Sequence, residues 1–150
     1  DTCERALRAI DIEKYNLTHT ADQNDLPLIK PLYIGIIYER SAERQRITER
    51  LEKRLLEGMI EEVKQLIQSG VPPESLVYYG LEYRYITMFL QGKMDFETMK
   101  AGLNTAIHQF SKRQRTWFRK MERAGCTIHW INGELPDAIK LQQALQLLNG

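Results

Sequence analysis

The chain has 150 residues, enough for one domain with a sizeable hydrophobic core. Its 43% hydrophobic and 27% charged residues exclude a low-complexity or wholly disordered chain. Its longest apolar stretch, residues 32–38, is too short to cross a membrane. Cys3 and Cys126 lie far apart, which favours the reducing cytoplasm over a disulfide scaffold. Residues 1–75 hold 11 Lys and Arg against 14 Asp and Glu, whereas residues 76–150 hold 10 against 6, so positive charge lies late in the chain.

The first predicted elements are a helix, a long loop and a strand. Apolar residues recurring near a 3.6-residue period predict a helix over residues 5–14. Polar residues, two prolines and an Asn-Asp pair predict a loop over residues 16–31, a length typical of functional or mobile segments. Residues 32–38 are apolar and rich in β-branched side chains, which predicts a strand covered on both faces in a parallel sheet.

Mostly helical segments follow this strand. Ser41 is expected to cap a helix whose apolar stripe continues to Gly70, and Gly58 is a point where this helix can bend or split. The later predicted elements are a helix over residues 74–90, a helix capped by Asp95, a strand over residues 127–131 and a helix over residues 136–148. The pattern therefore predicts five or six helices and two strands.

The two predicted strands are separated by nearly 90 residues. A two-stranded sheet is marginal by itself, and buried parallel strands need neighbours on both sides. We therefore expect an α/β fold, predominantly helical in this chain, as part of a larger protein that supplies further strands.

The most unusual segment is residues 111–123, which carry six Lys and Arg, one Glu and the adjacent aromatics Trp117 and Phe118. On a helix, one basic face is shared by His108, Lys112, Arg115 and Arg119, while Phe110, Trp117 and Met121 are expected to face the core. A basic stripe backed by aromatics suits phosphate contact and base stacking. The alternative is a solvated helix face whose Lys and Arg stems cover apolar surface.

A second group of cations lies in residues 44–54, where interleaved glutamates indicate mainly surface pairs four residues apart. Arg50 stands between Ile47 and Leu51 of the apolar stripe, so it is the arginine expected to be held in place. The three histidines lack the spacing of a zinc site, and no phosphate-binding glycine loop is present. The residues therefore predict no metal site and no complete catalytic site.

Residues 112–119, Lys-Arg-Gln-Arg-Thr-Trp-Phe-Arg, followed by Ile-His-Trp-Ile at 128–131, closely resemble the C-terminal signature of the bacterial tRNA dimethylallyltransferases. Three further stretches agree in order with that family, namely residues 5–12, Arg46 with residues 50–58, and Tyr83-Arg84. The resemblance covers nearly the whole chain.

This resemblance implies transfer of a dimethylallyl group from dimethylallyl diphosphate to N6 of adenosine 37 in tRNA. It implies a P-loop-kinase-like α/β core with Mg²⁺, and a helical domain that grips the tRNA anticodon stem-loop. Residues 1–150 would be the C-terminal part of that catalytic domain, without the phosphate-loop half, the inserted domain or the Mg²⁺ ligands. The expected protein is a cytoplasmic monomer, and the isolated chain is expected to be inactive.

The resemblance also assigns site residues. Arg50 matches the arginine that holds the donor diphosphate, and His108 is assigned to the catalytic site. The positions that match tRNA-contacting stretches are Glu4, Arg5, Arg8, Tyr83, Arg84, Lys112, Arg113, Gln114, Thr116, Trp117 and Arg119.

Two residues depart from the family pattern. His108 stands where an arginine is usual, so a permanent cation is absent, and Glu82 adds a negative charge beside an RNA-facing stretch. These departures are consistent with a divergent paralogue. They leave two alternatives to the enzyme, a non-catalytic RNA-binding relative and a helical protein-interaction module.

Overall fold

The computed structural model describes residues 3–18 and 30–149, which form seven helices and two strands. The chain divides into two compact units, residues 1–31 and 32–150. Helix α1 (Cys3–Thr18) belongs to the first unit and has no buried residue. It is longer than the predicted helix and includes Asn16, which was predicted to begin the loop. Residues 19–29 of that predicted loop lie outside the described residues.

In the second unit, the predicted long helix is split in two, α2 (Arg40–Leu56) and α3 (Met59–Gln68). Gly58 forms the break with a φ of +96°, a left-handed conformation that glycine adopts most readily. The predicted cap at Ser41 was wrong. Glu39 caps α2 instead, because its carboxylate accepts hydrogen bonds from the backbone N–H and hydroxyl of Ser41.

The helix predicted over residues 74–90 is also two helices, α4 (Pro73–Tyr79) and α5 (Leu81–Leu90). Gly80 separates them with φ 156° and ψ 175°, a backbone region that is essentially restricted to glycine. The prediction of one helix was therefore wrong, because apolar periodicity continues across a glycine that turns the chain.

The C-terminal elements were predicted correctly. Helix α6 (Phe96–Arg123) begins at Asp95, whose carboxylate accepts a hydrogen bond from the Thr98 backbone N–H at 2.7 Å. Strand β2 (Ile128–Asn132) and helix α7 (Asp137–Asn149) follow within one residue of the expected bounds.

The core lies among helices α2 to α6. Its buried members are Leu51, Met59, Val63, Leu76, Ile86, Met99 and Leu103. Helix α6 contributes only from its first half, because its 28 residues extend well past the 10 residues of its neighbour α5. The expectation that Phe110 and Trp117 face the core was wrong, since their side chains are 47% and 60% exposed.

The strand β1 (Tyr33–Ile37) pairs in parallel with β2, from Tyr33 opposite Ile128 to Ile37 opposite Asn132. A Cβ atom at Gly35 would lie 2.5 Å from the ring of Trp130, so the indole covers this glycine. The expected burial of β1 on both faces is not found, since four of its five residues are exposed. The reason is that the described part of the chain supplies a sheet of only two strands.

Candidate phosphate-binding cleft

The start of α2 and the second half of α6 border a cleft of about 500 Å³. Its lining carries five cationic side chains, those of Arg40, Arg44, Lys112, Arg115 and Arg119, and one acidic side chain, that of Glu43. His108 and Thr116 also line it. The basic face predicted for α6 is therefore confirmed as a shared surface, and α2 adds two arginines to it.

Two layers of polar contacts join α2 to α6 beside the cleft. In the first, the Glu43 carboxylate accepts a hydrogen bond from the Ser111 hydroxyl and pairs with the Arg115 guanidinium. In the second, the Thr48 hydroxyl lies 3.2 Å from Asn104 Oδ1 and 3.4 Å from His108 Nε2. These contacts fix the spacing of the two helices, and with it the width of the cleft.

The remaining cations of the cleft are available to a ligand. Arg40, Arg44, Lys112 and Arg119 form no ion pair with any residue in 3–18 or 30–149, and all four are exposed. Guanidinium and ammonium groups that share one concave surface suit phosphate oxygens. The arrangement can therefore bind a diphosphate or neighbouring phosphates of a nucleic acid.

Arg50 lies on α2 outside this cleft. The expectation that it is held in place was wrong, because its side chain is exposed and forms no ion pair with the described residues. The arginines of α2 that are held are Arg46, 4.6 Å from the centre of the Tyr38 ring, and Arg54, 3.2 Å from a Glu62 oxygen. Whether Arg50 holds the donor diphosphate stays a prediction.

Tyr83 and Arg84 lie on α5 and do not line the cleft. The Tyr83 hydroxyl donates a hydrogen bond to Glu62 Oε1 at 2.7 Å, which raises the pKa of Tyr83 and lowers that of Glu62. Arg54 adds to the lowering of the Glu62 pKa. The Arg84 side chain is exposed.

The predicted tRNA contacts of α6 divide between different faces. Lys112, Thr116 and Arg119 line the cleft, and Gln114 is exposed outside it. Arg113 lies over the Phe110 ring at 5.8 Å, and Lys120 lies over the Trp117 ring at 5.7 Å. This aromatic-basic face, formed by Phe110, Arg113, Trp117 and Lys120, does not belong to the cleft.

Sequence reasoning missed Arg40 and Arg44 as cleft residues and treated Arg44 as a member of surface ion pairs. Their spacing of four residues, directly after a strand, was the available signal.

The three remaining predicted contacts, Glu4, Arg5 and Arg8, lie on α1 in the first unit, and all three are exposed. The part of the chain that the structure describes contains no group of three or more His, Cys, Asp or Glu side chains able to hold a metal ion. Nor does any described helix combine the length and apolar character needed to span a membrane.

The mostly helical fold, with its two parallel strands and its cationic cleft, is suited to binding phosphate groups. The sequence model of the IPP transferase family matches residues 2–121, and the chain belongs to this family. It is 49% identical over 149 residues to tRNA dimethylallyltransferase 1 of Parabacteroides distasonis, covering 99% of this chain and 48% of the relative. It is 50% identical over 147 residues to tRNA dimethylallyltransferase 1 of Porphyromonas gingivalis, covering 98% of this chain and 49% of the relative.

Solved structures show the same fold. The tRNA delta(2)-isopentenylpyrophosphate transferase of Staphylococcus epidermidis matches with a TM-score of 0.70 at 22% identity, over 99% of this chain and 50% of that chain. The tRNA isopentenylpyrophosphate transferase of Bacillus halodurans matches with a TM-score of 0.71 at 24% identity, over 98% of this chain and 44% of that one. The chain spans about half the length of the curated relatives it matches.

Proposed function

We propose that residues 1–150 are the C-terminal part of the catalytic domain of a tRNA dimethylallyltransferase. The whole enzyme transfers the dimethylallyl group of dimethylallyl diphosphate to N6 of adenosine 37, in the anticodon stem-loop of tRNA. The observation that carries this proposal is the cleft of about 500 Å³ between α2 and α6, lined by His108 and by four cations that form no ion pair with any described residue. Relatives about 50% identical, named tRNA dimethylallyltransferase, support it.

The reaction defines what these residues do. The N6 nitrogen forms a bond to C1 of the dimethylallyl group, the C1–O bond breaks, and its electron pair leaves with the diphosphate. N6 loses one proton, and the base that accepts it lies outside this chain. Negative charge grows on the leaving oxygen, so a cation placed there lowers the barrier. Arg50 is assigned this role, and its exposure leaves the guanidinium free to meet the diphosphate.

The proposed tRNA contacts are those that the family resemblance assigns, and charge supports the cationic ones among them. Lys112 and Arg119 bind backbone phosphates in the cleft, while Thr116 lies beside them. Tyr83 and Arg84 on α5, the α6 residues Arg113, Gln114 and Trp117, and Glu4, Arg5 and Arg8 on α1 are further contacts in this proposal.

The wider setting is also part of the proposal. The enzyme is a cytoplasmic monomer. Mg²⁺ supplies charge neutralisation at the diphosphate when it is bound. Residues 3–18 and 30–149 contain no group of three or more His, Cys, Asp or Glu side chains that could hold this ion. We propose from the family resemblance that its ligands lie in the remainder of the enzyme.

The test separates binding from chemistry in the full-length protein. Arg50→Ala should keep tRNA affinity and lose transfer, because the guanidinium is proposed to act on the diphosphate. Lys53→Ala is the matched control, since Lys53 lies on the same helix and pairs with Glu57 at 3.7 Å. Filter binding of an anticodon stem-loop and transfer from radiolabelled donor are the two measurements. An equal loss of both would refute the role of Arg50, and a parent protein that binds tRNA without transfer would favour the non-catalytic RNA-binding relative.

A further inference from the structure

One carboxylate outside the cleft joins three helices. Glu62 on α3 uses its two oxygen atoms for different partners. Oε1 accepts the hydrogen bond from the Tyr83 hydroxyl on α5 at 2.7 Å, and Oε2 lies 3.2 Å from Arg54 Nη2 on α2. Each contact crosses from one helix to another, so Glu62 fixes the side chain of Tyr83 relative to α2 and α3.

The position of Tyr83 affects an exposed aromatic surface. Its ring lies 6.3 Å from that of Tyr79, which is 73% exposed on α4. The two residues lie on either side of Gly80, where α4 ends and α5 begins. The half-buried Tyr83 ring packs against the core, and its hydroxyl is the part of the side chain that a hydrogen bond can fix. The hydrogen bond to Glu62 holds this end of the ring, and with it the orientation in which the ring is presented.

The charges around this contact favour it at neutral pH. The hydrogen bond from Tyr83 is the main reason that the pKa of Glu62 is lowered, and the bond to Glu62 is the main reason that the pKa of Tyr83 is raised. The carboxylate therefore stays ionised and the phenol stays protonated over a wider pH range. The Arg54 guanidinium offsets the carboxylate charge.

We propose that Glu62 is a positioning residue for tRNA, which holds Tyr83 in the orientation that contacts the RNA. This inference rests on the proposed function, because it uses Tyr83 as a tRNA contact. Glu62 itself need not touch the RNA.

The direction in which tRNA affinity changes on removal of Glu62 distinguishes a positioning role from simple charge repulsion. Removing an acidic side chain near a polyanion should improve tRNA binding if only charge matters, because repulsion is lost. If Glu62 acts by holding Tyr83, its removal should instead weaken tRNA binding. The two explanations therefore predict opposite changes in the KM for tRNA.

The experiment uses the full-length enzyme with saturating dimethylallyl diphosphate and measures KM for tRNA and kcat. Glu62→Ala should raise that KM about fivefold, the effect of losing one ordinary hydrogen bond, and leave kcat unchanged. Glu62→Gln keeps an oxygen that accepts from Tyr83 and should restore most of the affinity. Glu61→Ala is the matched control, since Glu61 lies beside Glu62 and, among residues 3–18 and 30–149, pairs with Lys64 of its own helix at 3.2 Å and with no other cation.

A double variant tests whether the effect passes through Tyr83. Glu62→Ala combined with Tyr83→Phe should have the same KM for tRNA as Tyr83→Phe alone. A further rise in the double variant, a Glu62→Gln variant as weak as Glu62→Ala, or a KM that falls in Glu62→Ala would each overturn the inference. If the parent enzyme transfers no dimethylallyl group to tRNA, the proposed function fails instead, so the two failures are distinguishable.

Discussion

Replacing Lys112 and Arg119 by alanine tests whether the cationic cleft binds RNA phosphates. Both side chains line the cleft and neither is engaged in an ion pair within residues 30–149. A cation that meets a phosphate releases condensed counterions, and the slope of log affinity against log salt falls by about 0.9 per contact on a duplex and about 0.7 on a single strand. The double variant should therefore lose about 1.4 to 1.8 units of slope, depending on whether stem or loop is bound.

The assay is filter binding of tRNA to full-length protein between about 50 and about 200 mM salt, the range over which such slopes are usually compared. Lys100→Ala is the matched control on the same helix, because Lys100 pairs with Glu52 at 2.9 Å and lies outside the cleft. Its slope should match that of the parent. The melting temperature of the double variant should stay nearly constant, because exposed charges contribute little to stability.

Arg113→Ala is an informative companion, since Arg113 belongs to the aromatic-basic face and not to the cleft. A reduced slope in this variant would extend the RNA surface around α6. If the Lys112 and Arg119 double variant binds tRNA as the parent does, with the same slope and the same affinity at low salt, the cleft does not bind RNA. The helical protein-interaction module then becomes the better explanation of this chain.

Three further predictions concern single residues. His108→Arg adds a permanent cation to the cleft and should raise turnover or lower the KM for dimethylallyl diphosphate; no change in either, with the fold intact, would place His108 away from the donor. Leu103→Ala should lower the free energy of unfolding, measured by urea denaturation, by about 2 to 5 kcal/mol because Leu103 is fully buried. Trp117→Ala in the 150-residue chain should lower it by less than about 1 kcal/mol because Trp117 is 60% exposed, and a larger loss in Trp117→Ala than in Leu103→Ala would contradict these burials. Gly133→Ala should destabilise the chain by about 1 to 3 kcal/mol, since its Cβ would lie 2.3 Å from the Tyr38 ring, and an unchanged urea midpoint would show that the ring moves aside freely.

Strongly periodic elements were predicted well from the sequence, and the split that was expected to be possible at Gly58 is confirmed, whereas the break at Gly80 was not predicted. Helix α6 and its cap at Asp95 follow from local features, an apolar period and one capping carboxylate. The break at Gly80 depends on a backbone conformation, φ 156° and ψ 175°, that the apolar pattern around this glycine does not reveal. A glycine in an apolar pattern does not by itself reveal whether it ends a helix, as Gly58 and Gly80 do, or lies within one, as Gly102 does.

In the candidate site, too, features set by one helix were predictable from the sequence, and features set by the packing of two helices were not. The face of α6 that bears Lys112, Arg115 and Arg119 was predictable, because residues on one helix share a face by spacing alone. The contribution of Arg40 and Arg44 was not, because it depends on the register between α2 and α6 that Glu43 and Ser111 help to set. The prediction that the Arg50 side chain is held in place was wrong for a related reason. Its neighbour Leu51 is buried, but Glu49 on its other side is exposed, and successive residues of a helix point in different directions.

The exposed aromatics of α6 differ from the exposed apolar residues of β1 in their surroundings. Ile34 and Ile36 are 39% and 48% exposed on a strand that carries no charged residue, so an apolar partner can cover them without burying charge. The rings of Phe110 and Trp117 each lie under a cation, Arg113 and Lys120 respectively. A purely apolar partner placed over those rings would have to desolvate both cations, whereas a nucleic acid offers bases to the rings and phosphates to the cations. Charge therefore favours RNA at the aromatic-basic face and an apolar neighbour at β1.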